Sequence, residues 1–308
     1  MAAPDISVVI PAFERVNALE GCLQALAAQT LPPSRYEVIV SDDGSRLPVR
    51  DALSSVLGAL AERLTVRVIR QDNRGPATAR NLGAGAAMGR YLAFTDDDCR
   101  PAPDWLERLL GHFAIRPETL VGGGLRIRDG SDHYARATQA IMDFVYAEQE
   151  QRDGLRVFST SNLALPASAF KKLGGFSSTF TRAAGEDYDL CARWYSSGGE
   201  FAYAPDAVVS HEHALTLGSY WLQHFKYGRG LLQFRRRLRR TKVSMRTGSL
   251  PGSFHLRLIA SPVVKSGPRG AACALLVGLA QAATVAGVLT ELAAPTSRPN
   301  LRQSVESA

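Results

Sequence analysis

The chain has 308 residues, 45% of them hydrophobic and 21% charged, with a formal net charge of +7. That balance fits a globular protein with a sizeable core, as one large domain or one domain with an appendage, and excludes a disordered chain. The four cysteines (Cys22, Cys99, Cys191 and Cys273) are scattered without a Cys-x-x-Cys pair, which argues against a zinc ribbon or disulfide scaffold and favours a reducing compartment. No signal-peptide pattern precedes the first apolar run, so the catalytic part is expected in the cytoplasm.

Residues 6–10 form a β-rich apolar run stopped by Pro11, and residues 17–29 follow with helical spacing of Leu19, Cys22, Leu23 and Leu26. A second strand is predicted over 36–40, ended by Ser41-Asp42-Asp43-Gly44-Ser45, then a helix over 50–63. A third strand over 66–69, a third helix over 77–88 and a fourth strand over 91–94 complete the rhythm. Strands alternating with helices imply parallel β-α-β units and a doubly wound sheet. The run Gly83-Ala84-Gly85-Ala86-Ala87-Met88-Gly89 resembles a dinucleotide fingerprint, but it ends a helix instead of opening one after a strand, so its glycines are read as helix termination and close packing.

The loops carry the chemistry. Asp96-Asp97-Asp98 follow the fourth strand, where open α/β sheets bind ligands. Adjacent carboxylates repel, and a hard divalent cation such as Mg²⁺ or Mn²⁺ removes the repulsion; a solvated acidic turn is the alternative. Asp42 and Asp43 suit either a base or ribose, or a simple Asx-turn. Arg74, next to a helix N-terminus, suits a phosphate.

Further along, 157–165 reads as a strand with polar residues on one side, and Leu173-Gly174-Gly175-Phe176 as a tight turn placing a ring by a pocket wall. Glu186 and Asp187 open a helix, either as dipole-stabilised caps or as acid–base groups. His211-Glu212-His213 follows a strand-like run over 207–210 and suits either a structural role or a metal ligand. The basic residues Lys226, Arg229, Arg235, Arg236, Arg237, Arg239, Arg240, Lys242 and Arg246 interleave with aromatic and aliphatic side chains. Such a block meets nucleic acid, a phosphorylated substrate or an anionic membrane, or is a solvated helix face. Residues 271–289 are nearly all apolar, interrupted mainly by Gln281; they spell a membrane span, an interfacial helix or a packed helix. A polar, disordered tail is expected over 295–308.

Ser7-Val8-Val9-Ile10-Pro11-Ala12-Phe13, Ser41-Asp42-Asp43-Gly44-Ser45, Asn73-Arg74-Gly75 through Asn81-Leu82-Gly83, and Asp96-x-Asp98 resemble, in order and spacing, the family 2 glycosyltransferases of GT-A fold. The likeness covers about residues 5–230. It implies a nucleotide-diphosphate sugar held by Pro11, Ala12, Glu14, Asp42, Asp43, Arg74, Arg80, Asp96 and Asp97, with Asp96 nearer the ribose. It implies Mn²⁺ or Mg²⁺ on Asp98 and His211, Asp187 as the general base, and Glu186 orienting the base or acceptor. Processive members carry Gln-x-x-Arg-Trp; here 221–230 reads Trp-Leu-Gln-His-Phe-Lys-Tyr-Gly-Arg-Gly, which implies addition of a single sugar.

The expectation is therefore an α/β GT-A fold (a doubly wound, Rossmann-like mixed sheet) with a basic and apolar helical extension. A glycosyltransferase domain is expected over 1–230, with a nucleotide-sugar part to about 125, and a membrane-associating extension over 231–294. The function expected is inverting, metal-dependent transfer of one sugar to a hydroxyl of a lipid-linked or cell-envelope glycan. The place expected is the cytoplasmic side of a membrane, peripheral or with a single C-terminal membrane helix, with no nucleic-acid partner. The alternatives are a nucleotide-sugar-binding protein without activity and a sugar nucleotidyltransferase; the first strand lacks the glycine-rich phosphate loop of the latter.

Overall fold

The computed structural model describes residues 3–128, 132–151, 153–180, 184–212, 215–241 and 253–293. His213, Lys242, Arg246 and the tail lie outside the described residues. The strands are β1 (Ile6–Ala12), β2 (Tyr36–Asp42), β3 (Val66–Arg70), β4 (Tyr91–Phe94), β5 (Cys99–Pro101), β6 (Thr119–Ile127), β7 (Leu163–Pro166) and β8 (Glu200–His211). The helices are α1 (Val16–Ala27), α2 (Val49–Ala52), α3 (Ser54–Leu60), α4 (Pro76–Ala86), α5 (Trp105–Ile115), α6 (His133–Glu150), α7 (Ala167–Lys172), α8 (Glu186–Ser196), α9 (Leu217–Thr241), α10 (Phe254–Ser266) and α11 (Ala271–Ala293).

The strands form one mixed sheet in the order β3-β2-β1-β4-β7-β6-β8-β5. β1 is parallel to β2 and to β4, whereas β7 is antiparallel to both β4 and β6. β1 shows why a continuous apolar run marks a central strand: Ile6, Val8 and Ile10 pack with α1 and α5 on one face, and Val9 packs with Leu92 and Phe94 on the other. The chain crosses from one side of β1 to the other between β3 and β4, and this reversal opens a crevice at the strands' carboxyl ends. Register places Val9 opposite Phe94, so the residues after β4 emerge beside the end of β1.

Gly83 lies against the Val9 side chain and Ser41 Oγ, where a Cβ would sit about 2.5 Å from each. The glycine run is thus helix-to-sheet packing, as expected. Two expected elements are corrected. The helix expected over 50–63 breaks at the buried Leu53 into α2 and α3. Only the end of 157–165 is a strand, because Ser159 to Asn162 turn inward. Asn162 accepts from Trp105 Nε1 at 2.9 Å and donates to the carbonyls of Gly124 and Ala207 at 2.9 and 2.8 Å. Satisfying those buried groups competes with strand pairing and wins.

The C-terminal helices form a layer with α6. α9 and α11 run side by side in parallel; Gly228 faces the Thr284 carbonyl so closely that a Cβ would clash at 1.9 Å. Residues Phe254–Ala293 hold an 18-residue window of mean hydropathy 2.0, apolar and long enough, by length and composition, to cross a membrane. They fold back instead of running straight: His255 Nδ1 lies 2.9 Å from Gln281 Oε1, which gives the polar interruption a partner. The inner face of α11 buries Val277, Ala280, Ala283 and Gly287, while Leu275, Val285, Leu289 and Leu292 stay exposed. Several arginines of the basic block are engaged internally. Arg229 donates to Glu291 at 2.7 Å, Arg236 reaches the Glu291 carbonyl, and Arg237 pairs with Asp189. Lys226 and Arg235 remain exposed. Residue 230 falls inside α9, which is continuous there.

Candidate active site

Four loops at the carboxyl end of the sheet build the site, and each is shaped by its own hydrogen bonds. The loop after β1 is tied to the turn after β2, with Asp43 N donating to the Ala12 carbonyl at 2.9 Å. Pro11 and Ala12 thereby line the start of the crevice. Glu14 takes a positive φ of 57°, uncommon for a residue with a Cβ, and its carboxylate accepts from Arg46 N at 2.9 Å.

Asp42 and Asp43 are both buried. Asp42 accepts from Ser45 N at 2.9 Å, Val49 N at 3.2 Å and Arg70 Nη1 at 2.7 Å. Burial alone works to raise its pKa, but those donors outweigh it and hold it below the usual carboxylate value. Asp43 accepts from Gln71 Nε2 at 2.7 Å and from the backbone amides of Arg74 and Gly75 at 2.9 Å each. The pair thus shapes the turn and braces the loop that opens α4, leaving the Arg74 side chain exposed.

Asp96, Asp97 and Asp98 lie where β4 ends, and their counter-charges are side chains. Asp96 accepts from Arg80 Nη2 at 2.7 Å and Ser161 Oγ at 2.8 Å. Those contacts overcome the effect of burial and lower its pKa. Asp97 is pushed up to about 7, first by burial and then by the charges of Asp98 and Asp96, against the opposing pull of Arg15. Arg15 spans Asp97 Oδ1 and Asp98 Oδ2 at 2.5 Å each.

Arg80 is only 4% exposed. Its Nη1 donates to Glu186 Oε1 at 3.0 Å while Nη2 holds Asp96, and its guanidinium lies 5.8 Å from the centre of the Phe176 ring. One buried cation, 106 residues before Glu186 in the sequence, thus joins the end of β4 to the start of α8. Phe176 is core beneath this bridge, packed edge-on against Phe94, and not a pocket wall. Glu186 also accepts from Ala184 N at 3.0 Å, and Ala184 and Gly185 both have positive φ. Asp187 is raised to about 7, mainly by burial and next by the charge of Glu186. Tyr188 and Tyr227, both partly exposed, flank it electrostatically.

His211, at the end of β8, presents Nε2 3.3 Å from Asp98 Oδ1. That oxygen is buried and accepts no hydrogen bond. An orphaned carboxylate oxygen facing an imidazole fits a divalent cation, and ligand atoms of Asp96, Asp98, Cys99 and His211 lie within 4.8 Å of one another. Cys99 is the poorest of these ligands: burial and the neighbouring carboxylates raise its thiol well above the usual value, and hard cations prefer oxygen. The residues that would hold the ion are Asp98 and His211, with Asp96 beside them.

Arg15 and Ser161 are the site residues that motif reading missed. Each is one polar residue in a loop, and nothing local in the chain says which carboxylate it will meet.

The family model described as "Glycosyl transferase family 2" matches residues 7–174, and that of "Glycosyl transferase family group 2" matches 91–292. The pre-mycofactocin glycosyltransferase of Mycobacterium tuberculosis is 32% identical over 230 residues, covering 73% of this chain but 46% of that protein. This chain thus spans about half the length of that relative. The glycosyltransferase AglE of Haloferax volcanii is 28% identical over 231 residues, covering 75% of this chain and 74% of its own. Among solved structures, the mannosyltransferase PcManGT from Pyrobaculum calidifontis, in complex with GDP-Man and Mn²⁺, superposes with a TM-score of 0.63. It is 20% identical and covers 95% of this chain and 88% of that one, a likeness of fold. With more than half its length matched by the family model, and a mixed GT-A sheet carrying the acid cluster at the switch point, the chain belongs to glycosyl transferase family 2.

Proposed function

We propose that the protein transfers a single sugar, with inversion, from a nucleotide-diphosphate sugar to a hydroxyl of a lipid-linked or cell-envelope glycan, using Mn²⁺ or Mg²⁺. The observation that carries this reading is the Arg80 bridge between Asp96 and Glu186. It fixes the acid cluster of the donor side and the acid pair of the acceptor side on one rigid guanidinium.

The nucleoside end of the donor is assigned to the crevice lined by Pro11 and Ala12 and braced by the Asp42-Asp43 turn, and Arg74 to the phosphates. Held by Asp98 and His211, the ion would supply the positive charge that lets a diphosphate leave. That the mannosyltransferase of like fold holds GDP-Man and Mn²⁺ supports a nucleotide-sugar donor and a divalent ion for this fold. Asp187 takes the acceptor hydroxyl's proton as the hydroxyl attacks the anomeric carbon. A carboxylate raised to about 7 is well matched to that work near neutral pH. Glu186, locked to Arg80, keeps Asp187 aimed and adds the charge that raises it.

The exposed side of α10 and α11 is assigned to a membrane surface. Leu256, Val264 and Leu275 are 71%, 82% and 77% exposed, and Lys265 lies between them at the end of α10. An apolar face with a cation at its edge suits an anionic interface.

The test is release of nucleoside diphosphate from UDP-, GDP- and dTDP-sugars with Mn²⁺, Mg²⁺ or EDTA, with the anomeric configuration of any product read by NMR. Cation-dependent turnover of one donor with inversion is expected. Retention of configuration, or turnover undiminished by EDTA, overturns the mechanism.

A further inference from the structure

Arg15 has no part in the reaction as described, yet it sits on two of the three clustered acids. Its Nη1 meets Asp98 Oδ2 and its Nη2 meets Asp97 Oδ1, both at 2.5 Å. The residue before it, Glu14, is held in a left-handed conformation by hydrogen bonds from its own amide to Ser45 Oγ at 3.1 Å and from Arg46 N at 2.9 Å. The loop after β1 is thus braced in an uncommon backbone shape whose consequence is to aim Arg15 across the switch-point crevice. The two cations of the cluster differ sharply. The Arg80 side chain is 5% exposed and locked between carboxylates, whereas that of Arg15 is 53% exposed.

We propose that Arg15 is a tethered counter-cation, exchanged when the donor arrives. In the donor-free protein its guanidinium neutralises Asp97 and Asp98. When the metal and the nucleotide diphosphate enter, Asp98 passes to the ion, and the fork turns outward onto diphosphate oxygens, for which its planar geometry is suited. This rests on the metal-dependent reading above and adds a regulatory consequence to it. The free protein resists binding a bare cation, and cation and nucleotide bind best together.

The test is Mn²⁺ binding, read by electron paramagnetic resonance of the free ion, for wild type, Arg15→Gln and Arg15→Lys. Each is measured alone and with saturating UDP or GDP, and thermal melting checks the fold. Arg15→Gln is expected to bind bare Mn²⁺ roughly tenfold tighter, because a competing charge is gone. The same variant is expected to bind nucleoside diphosphate with Mn²⁺ roughly tenfold more weakly, because a charge-assisted contact is lost. Opposite signs in one variant are the signature of exchange. Unchanged or weaker binding of bare Mn²⁺ overturns the proposal and makes Arg15 a fixed brace for Asp98. Should Arg15→Gln fail to fold, Arg15→Lys decides the matter: its ammonium cannot span both acids, so bare Mn²⁺ must bind several-fold tighter. If wild type takes up no Mn²⁺ with or without nucleotide, yet calorimetry detects the nucleotide, the metal reading itself falls.

Discussion

The turns after β2 and β4 are spelled almost alike, as Asp42-Asp43 and Asp96-Asp97-Asp98, and they do opposite things. The first pair is met chiefly by backbone amides, those of Ser45, Val49, Arg74 and Gly75, with Arg70 and Gln71 in support. Its charge is used up in holding loops. The second cluster is met by side chains from the loop after β1, from α4 and from the turn before β7, and it still leaves Asp98 Oδ1 without a donor. Acids satisfied by local amides are scaffolding. Acids balanced by side chains from distant segments, one of them half-exposed, are the ones placed to exchange partners.

Mutations at the two turns, and at the acid pair joined to the second, should separate these roles. The largest effect is expected at Asp187, where Asn should lower kcat by as much as about 10⁴-fold. In wild type, kcat should rise about tenfold per pH unit up to about 7 and then level off, because the base works only when ionised. A profile flat from pH 5 to 8 would remove Asp187 from that role. The folded state holds this proton more tightly than the unfolded chain, whose carboxylate titrates near 3.8. Ionised Asp187 therefore costs stability, in full above pH 7 and less as pH falls from 7 towards 4. Asp187→Asn should thus melt about 2 °C higher at pH 8 even as it loses activity.

Asp98→Asn comes next, with a fall of about 10³-fold in kcat/KM and loss of Mn²⁺ uptake at nearly unchanged melting temperature. The contrast with the first turn is sharpest at Asp42. Asp42→Ala orphans two backbone donors and Arg70, and should cost about 2–4 kcal/mol in urea unfolding. Activity per folded molecule should fall far less than in Asp98→Asn; equal losses of activity would erase the distinction drawn between the turns. The smallest catalytic effect is expected far from both. Val264→Glu with Leu275→Glu should abolish flotation with anionic vesicles yet leave turnover of a water-soluble acceptor within about twofold. Undiminished flotation would free α10 and α11 from the membrane role.

Much of the fold was legible because burial writes itself into the chain. The apolar runs at β1, β2 and β4 are covered on both faces, so they read as strands without any alternation. Where burial depends on one side chain's long-range partners, reading failed. The stretch from Ser159 to Asn162 looked extended because nothing nearby says that Asn162 will staple α5, β6 and β8. Gln281 looked like a flaw in an apolar helix, since its partner His255 comes close only after the chain folds back. The basic block looked like free charge, yet Glu291 and Asp189 engage part of it.

By itself the sequence determined the first four strands, that acids would stand at the ends of two of them, and which family the motifs belong to. These depend on hydrophobic period and on residue type at a turn, both of which are local. Only the tertiary structure decided which acids are spent and which are poised. That depends on β4 lying beside β1, which brings Arg15 to Asp97 and Asp98, and on α8 docking where Arg80 can hold Asp96 and Glu186 at once. Charge interactions act through a few ångströms of space, and distance along the chain does not measure that space.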